Sequence, residues 1–202
     1  MGRTLRHADR DVKAPPPYTP PAVTGHVEAH IWSLRMPVRP DRPRAKPPRA
    51  GIRVVEAKRI TASFYRYLYE TVGASWCWTG RRLIGDAELL RRLHAPGVEV
   101  QVMWADGVPA GYAELAVDEP PAVWIGYFGL VPEFIGRGLG RFFLDWSVDR
   151  AWDMGAAEVR VQTCDLDHPA ALPNYLRAGF EVDSERVDTV ELVDGVAVNR
   201  RG

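Results

Sequence analysis

The sequence is poor in cysteine and contains no long apolar run. Its two cysteines, Cys77 and Cys164, provide no disulfide framework, and no Cys/His spacing resembles a zinc site. No apolar run approaches the roughly 20 residues that cross a bilayer. The first residues, MGRTLRHADRDVK, lack the apolar segment of a secretory signal. These absences predict a cytoplasmic protein with reduced cysteines, without a metal site and without a membrane partner.

An excess of charge of one sign is also missing. Twenty-six basic residues balance 26 acidic ones, so the whole chain gives no reason to expect nucleic acid as a partner. Residues 1–50 differ, with ten Lys or Arg against four Asp or Glu and with ten of the 17 prolines. We interpret them as a basic, extended N-terminal arm and residues 51–202 as the folded domain. Nucleic-acid binding by the arm would rest on charge alone, and solvated basic tails are the commoner case.

One segment of the arm has a different composition. Residues 27–36, VEAHIWSLRM, contain Val, Ile, Trp and Leu and are typical of a strand. The alternation of apolar and polar residues is imperfect. We therefore expect either an edge strand or an arm that docks on the domain.

From residue 51 onward the pattern is that of a globular domain in which strands and helices alternate. Helices are predicted over 61–72, 87–93, 139–154 and 169–178, and strands over 52–57, 98–104, 111–117, 123–131, 159–164 and 180–192. Asp86 is the expected N-cap of the second helix. This order of elements predicts an α+β (or α/β) fold with a mixed sheet.

The strongest functional signal lies where a strand meets a helix. Residues 123–131, VWIGYFGLV, are apolar at nearly every position, which predicts a central strand that is buried on both faces. Gly136, Gly138 and Gly140 follow, at the first turn of the next helix. Glycines there let an anion approach the free backbone N–H groups of the helix N-terminus.

Two arginines next to these glycines, Arg137 and Arg141, add formal charge that suits a phosphate. A glycine-rich turn that serves only the strand-to-helix geometry is the alternative interpretation. The segment has neither the Gly-Lys-Ser/Thr of a P-loop nor the G-x-G-x-x-G spacing of dinucleotide sites. The glycines alone thus indicate an anion site at a helix start.

The same segment resembles the acetyl-CoA-binding motif of the GNAT superfamily of N-acetyltransferases. The similar residues are Val131-Pro132, the run IGRGLG over 135–140, and farther on His168-Pro169-Ala170-Ala171, Tyr175 and Gly179-Phe180. The resemblance covers roughly residues 51–192 and is sharpest over 123–180. It implies a mixed, mostly antiparallel central sheet flanked by helices, and acetyl-CoA as the acyl donor.

The sequence departs from the family's pattern at two positions. Ile135 stands where the family usually has Gln or Arg, so one pyrophosphate contact is either lost or taken over by Arg137 or Arg141. His168 stands where the family often has Asn, and Asn174 is the candidate substitute. Neither change removes the backbone donors.

The resemblance assigns the coenzyme to two stretches of backbone. The pyrophosphate would meet the helix start, and the pantetheine arm would pair with the central strand, where Gly129 would permit a bulge. The implied coenzyme-binding residues are Phe128, Gly129, Leu130, Val131, Gly136, Arg137, Gly138, Leu139, Gly140, Arg141, His168 and Asn174.

The implied reaction is direct attack of a neutral amine on the thioester. Tyr175 matches the family's acid, which protonates the leaving thiolate, although it can also serve only to pack its helix on the sheet. Glu114 is our first candidate for the base. The Asp167-His168 loop, a base acting through water and a partly neutral substrate remain alternatives.

The first two helices and their loop form one wall of the acceptor site in this family. The residues that match this wall are Tyr65, Tyr69, Trp76, Trp78 and Arg81, where the guanidinium would bind a substrate carboxylate. Packing of these aromatic residues in the core is the alternative.

The sequence therefore predicts an N-acetyltransferase. It would act on a primary amine of a small molecule, amino acid or peptide, in a ternary complex and without a metal. A non-catalytic module that senses acyl-CoA, with the arm contacting a partner, is the alternative function. The oligomeric state is open, with a homodimer as one alternative.

Overall fold

The computed structural model describes residues 16–118 and 121–195. The rest of the predicted arm and the last seven residues of the predicted domain lie outside the described residues. The elements, in chain order, are β1 Val23–Met36, β2 Ile52–Glu56, α1 Ala62–Gly73, α2 Asp86–Leu93, β3 Val98–Ala105, β4 Val108–Val117, β5 Ala122–Leu130, α3 Leu139–Asp153, β6 Glu158–Cys164, α4 Ala171–Ala178 and β7 Glu181–Val193. The predicted α+β fold is confirmed.

The seven strands form one sheet in the order β2-β3-β4-β5-β6-β1-β7. Every neighbouring pair is antiparallel except β5 with β6, which is parallel. The parallel pair arises because α3 forms the crossover between these two strands. The predicted mixed, mostly antiparallel sheet is confirmed, and β5 lies at its centre.

β1 is an internal strand, so the predicted edge position of residues 27–36 is wrong. It pairs with β6 on one side and with β7 on the other. Its buried residues are Val27 and Ala29 in the first half and Leu34 and Met36 in the second. The buried positions thus change from odd-numbered to even-numbered residues, and a register shift at Ser33/Leu34 in the pairing with β7 accompanies this change. The imperfect alternation therefore records an irregularity within a buried strand.

The helices cover both faces of the sheet. One apolar cluster joins α1 and α2 to Val100 and Val102 of β3. Met103 of the same strand packs with α3 on the opposite face, since side chains alternate along a strand. The N-cap of α2 is Gly85, so the predicted capping role of Asp86 is wrong. Its carboxylate lies 2.9 Å from Arg66 Nε on α1 and joins the two helices.

The described part of the predicted arm packs against the domain. The Arg42 guanidinium lies 3.2 Å from the Asp149 carboxylate on α3, and the Ala45 N–H donates to the same carboxylate at 2.8 Å. Tyr18 stacks under the guanidinium of Arg66 at 3.4 Å and donates its hydroxyl to the Arg82 carbonyl. Among the described residues, no helix is long and apolar enough to cross a membrane.

Candidate active site

The central strands β5 and β6 separate halfway along their length. Their parallel register ends at the pair Ile125–Val161. In the described chain, the edge of β5 that faces β6 is therefore open over residues 126–130. A bulge lies at the same point, because Glu114 of β4 pairs with Tyr127 while Leu115 pairs with Ile125. The extra residue is Gly126, so the bulge predicted at Gly129 is wrong.

Gly129 serves a different purpose. A Cβ at this position would lie 2.4 Å from Val72 Cγ1, so glycine is needed for the close approach of α1 to the sheet. Residues 127–130 are only half-buried. The prediction that the strand is buried on both faces throughout therefore fails where the sheet opens into a cavity.

The cavity has a volume of about 660 Å³, within the range of ligand sites. It is lined by eight of the residues that the sequence predicted for the coenzyme or for catalysis, namely Phe128, Gly129, Leu130, Gly136, Gly140, His168, Asn174 and Tyr175. Five others, Val131, Arg137, Gly138, Leu139 and Arg141, are not part of its lining. Val131 and Leu139 are buried in the core instead.

We call residues 135–140 the glycine wall, and Ile135, Gly136 and Gly140 of this segment line the cavity. Just before α3 begins, Gly136 and Gly138 have φ values of +78° and +77°. Nothing lies within 4 Å of a Cβ at either position, so the left-handed backbone and not lack of space requires glycine. Successive N–H groups in such a turn, followed by the free donors of a helix start, form an anion-binding concavity.

The two arginines of this segment already have partners. The Arg137 guanidinium lies 5.2 Å from the ring centre of Phe134. Arg141 donates its Nε–H to Asp145 at 2.7 Å and one Nη–H to the Arg177 carbonyl at 3.2 Å. Both side chains are exposed and neither lines the cavity, whereas Gly136 and Gly140 do, so the backbone N–H groups are the candidate donors.

We call Tyr69, Trp76, Trp78 and Tyr127 the aromatic wall. The Trp78 ring lies 5.5 Å from Tyr69 and 5.2 Å from Tyr127, measured between ring centres. Trp76 meets the ring of His168 edge-on at 4.9 Å. This wall comes from α1, the loop after it and β5, which only the folded chain brings together.

Tyr175 lines the cavity from α4. Its ring packs against Phe128 and Phe180, and the described residues provide no hydrogen-bond partner for its hydroxyl. Burial, and to a smaller extent the charge of Asp167, raises the pKa of this phenol above its usual value. Tyr175 therefore keeps its proton at neutral pH.

Asp167 is held in place by three donors. The indole N–H of Trp78 donates to Oδ1 at 3.1 Å, and the Thr163 hydroxyl and the Cys164 N–H donate to Oδ2 at 2.8 and 3.0 Å. The next residue, His168, accepts the Ala170 N–H on Nδ1 at 3.0 Å, just before α4 begins. From the sequence, Asp167 was only an alternative candidate for the base. Its bond to Trp78 could not be predicted, because it joins segments that are 89 residues apart.

Glu114, our first candidate for the base, does not line the cavity. It is almost fully buried on β4, where Tyr65 donates its hydroxyl to the carboxylate and Arg81 forms an ion pair with it. A Cβ on Gly126 would lie 3.9 Å from Glu114 Oε1, so the carboxylate lies close to a residue that does line the cavity.

This ion pair also changes the expected acceptor wall. Tyr69, Trp76 and Trp78 line the cavity, whereas Tyr65 and Arg81 are not part of its lining. The Arg81 guanidinium is directed to Glu114 and lies 5.2 Å from the ring centre of Tyr127. The lining also contains residues outside the predicted site, among them Ile31, Cys77, Thr79, Gln162 and Val190.

This chain is similar to proteins of a known family. A family model described as "Acetyltransferase (GNAT) family" matches residues 62–180, which is more than half of the chain. No curated protein matches the chain.

Solved structures with a similar fold include three acetyltransferases. A GCN5-related N-acetyltransferase from Sphaerobacter thermophilus is 19% identical with a TM-score of 0.59, over 86% of this chain and 56% of that chain. One from Kribbella flavida is 15% identical with a TM-score of 0.53, over 83% and 60%. A Bacillus subtilis acetyltransferase in complex with CoA is 17% identical with a TM-score of 0.51, over 66% and 78%. This chain thus spans little more than half the length of the first two, and the likeness concerns the fold.

Proposed function

The chain belongs to the acetyltransferase (GNAT) family, and on that premise we propose that it transfers an acetyl group from acetyl-CoA to a primary amine of a small molecule, amino acid or peptide. The observation that carries this proposal is one cavity that holds three features. They are the open edge of β5, the helix start at Gly136 to Gly140, and the hydroxyl of Tyr175.

The residues present fit acetyl-CoA. The turn through Gly136 and Gly138 provides backbone donors for the pyrophosphate, and the dipole of α3 favours its negative charge. The open edge of β5 over 126–130 provides unpaired backbone groups for the two amides of the pantetheine arm. Ile135 lines the same cavity as an apolar contact, so the departure from the family's Gln or Arg leaves the backbone donors in place.

When bound, acetyl-CoA supplies an activated acyl group whose leaving group is a thiolate. The amine nitrogen forms the new C–N bond, the C–S bond breaks, and the proton lost by the amine is balanced by one gained by the sulfur. Tyr175 provides that proton or a hydrogen bond to the departing sulfur. Its raised pKa favours hydrogen-bond donation over complete loss of the proton, because a thiol has a reference pKa of about 8.5.

Removal of the proton from the amine is the second half of the reaction. A primary ammonium has a reference pKa near 10, so most of the acceptor arrives charged at neutral pH. Glu114 is proposed to accept the proton through a water at the Gly126 bulge, since its carboxylate lies directly behind that residue. The bulge residue has no side chain, which leaves room for such a water.

Release of free thiol from acetyl-CoA in the presence of a panel of amines tests the proposal. We expect turnover with at least one amine, and a kcat about 10²- to 10³-fold lower for Tyr175→Phe with an unchanged KM for acetyl-CoA. Tyr67→Phe is the control, because Tyr67 is about half exposed on α1 and does not line the cavity.

The opposite result would favour a non-catalytic acyl-CoA sensor. Acetyl-CoA would then bind without turnover of any amine in the panel, and Tyr175→Phe would change nothing that the assay measures.

A further inference from the structure

The loops after α1 and before α4 meet beside the aromatic wall. Two contacts join the loop after α1 to the loop before α4: Trp76 on His168, and the Trp78 indole N–H on Asp167. Both loops line the cavity, and so do the open edge of β5 and Tyr175. A molecule between these loops therefore lies next to the groups that we propose to handle the thioester.

The charge of the lining is one-sided. Among the described residues that line the cavity, Asp167 is the only carboxylate, and no lysine or arginine is present. Arg81, the nearest candidate cation behind the wall, is paired with the buried Glu114. A carboxylate or phosphate on the acceptor would thus be buried without a cation partner, which costs free energy.

Asp167 has acceptor capacity left for a cation. A carboxylate offers about four lone-pair positions, and three donors use one position on Oδ1 and two on Oδ2. The remaining position is on Oδ1, the oxygen that also holds Trp78. The three donors fix the orientation of the carboxylate, so it is ready to bind an ammonium without rearrangement.

Much of the remaining lining is apolar, and polar side chains such as Thr79, Gln162, Thr163, His168 and Asn174 also line the cavity. The aromatic wall presents the faces and edges of Trp76 and Trp78, and the long β1–β7 pair adds Ile31 and Val190. Such a lining binds apolar groups, and aromatic rings add attraction for a nearby ammonium.

We propose that Asp167 binds the ammonium of the acceptor, and that the acceptor is a primary amine on an apolar body that carries no carboxylate. The inference rests on the proposed acetyltransferase function and narrows its substrate class. Asp167 is a specificity residue in this account, while Tyr175 remains the group at the sulfur.

A matched pair of acceptors tests the substrate class. 2-Phenylethylamine and phenylalanine share the amine and the ring, and differ by the carboxylate. With acetyl-CoA as the donor, we expect kcat/KM to be at least tenfold higher for 2-phenylethylamine. Equal or better use of phenylalanine, or turnover confined to amines that carry further charges, would overturn the inference and leave the acetyltransferase function standing.

A matched pair of variants tests the residue. Asp167→Asn keeps the shape and an acceptor for Trp78 but removes the charge, whereas Asp165→Asn removes an exposed carboxylate that bonds the His30 N–H and does not line the cavity. We expect Asp167→Asn to raise the KM for 2-phenylethylamine at least tenfold, and Asp165→Asn to leave it unchanged.

Two further measurements separate the charge from a structural effect. Binding of acetyl-CoA to Asp167→Asn, measured by calorimetry, is expected to match the wild type, which shows that the variant is folded. Inhibition by 2-phenylethanol, which has the same body without a charge, is expected to be unchanged. If Asp167→Asn weakens the binding of the alcohol and of the amine equally, Asp167 does not bind the ammonium. If acetyl-CoA binds to the wild type and no amine is acetylated, the proposed function itself fails, and this inference fails with it.

Discussion

The two walls of the cavity are built in different ways. The glycine wall is one short segment, and it presents backbone N–H groups in a turn that requires the positive φ of glycine. The aromatic wall consists of side chains from α1, the following loop and β5, joined to Asp167 across the open sheet. A wall made of backbone groups suits an acyl donor that members of a family share. A wall made of side chains suits an acyl acceptor that differs between them.

The largest expected difference between the walls is their response to alkali. Burial raises the pKa of Tyr65, Tyr69, Tyr112 and Tyr127, which all lie in or behind the aromatic wall. The pKa in the folded state is above that of the unfolded chain, so their contribution to stability is complete below about pH 10 and is lost as the pH rises further. Each tyrosine contributes a slope of up to about 1.4 kcal/mol per pH unit. We expect cooperative unfolding above about pH 10.

Ultraviolet absorbance of tyrosinate and far-UV circular dichroism, recorded in one pH titration, check this expectation. The rise in tyrosinate absorbance from Tyr65, Tyr69, Tyr112 and Tyr127 should coincide with the loss of the far-UV circular dichroism signal. Ionisation of all tyrosines with an unchanged circular dichroism spectrum would contradict it.

The second effect concerns the ion pair behind the aromatic wall. Glu114→Gln leaves the Arg81 guanidinium buried without its counter-charge, and we expect the free energy of unfolding to fall by about 3 kcal/mol. Chemical denaturation measures it. Glu88→Gln, at an exposed pair with Arg91 and Arg92, is the control and should have no measurable effect.

The same variant distinguishes two roles of Glu114. If the carboxylate also accepts the proton of the amine, kcat falls in the folded variant under conditions where it is fully native. A stable, fully active Glu114→Gln enzyme would refute both roles.

The third effect concerns the glycine wall. Gly138→Ala places a Cβ at a φ of +77°, which costs about 1–2 kcal/mol of stability and disturbs the turn of N–H groups. We expect the Kd for acetyl-CoA to rise about tenfold, equivalent to about 1.4 kcal/mol. Gly107→Ala is the matched control, because Gly107 has a φ of +92° in the β3–β4 hairpin and open space around it. It should lose similar stability and bind acetyl-CoA normally.

The smallest effect concerns a single ring of the aromatic wall. Trp76→Phe removes part of the surface that meets His168, and we expect the KM for the amine to rise a few-fold, in line with about 0.5–1 kcal/mol. The Kd for acetyl-CoA should not change. Trp124→Phe, at a half-buried position outside the cavity lining, should alter neither constant. A Trp76→Phe effect on acetyl-CoA alone would erase the distinction between the two walls.

Most helices and strands and the glycine segment could be predicted from the sequence, because their signals are local. The alternation around residues 98–117, the helical spacing and the positions of the glycines depend on the conformation of each segment by itself. The two halves of the family motif, around Gly136 and around Tyr175, are likewise short segments in which residue type is tied to backbone geometry.

The place of residues 23–36 was not readable in the same way. A strand becomes internal only when two other strands offer their edges, and here β6 and β7 lie more than 100 residues later in the chain. The bulge at Gly126 depends in turn on the register with β4, and no residue of β5 by itself indicates it.

The roles of the carboxylates were also decided by packing. In the sequence, Glu114 and Asp167 are two acidic residues near expected strand positions. In the fold, Glu114 is enclosed with Arg81 and Tyr65, while Asp167 faces the cavity with one oxygen still able to accept. Local sequence thus determined where we expect an anion to bind and which tyrosine follows that segment, because backbone donors and helix starts are local features. Tertiary structure determined which charges reach the cavity, because burial and pairing arise only between segments that meet in the folded chain.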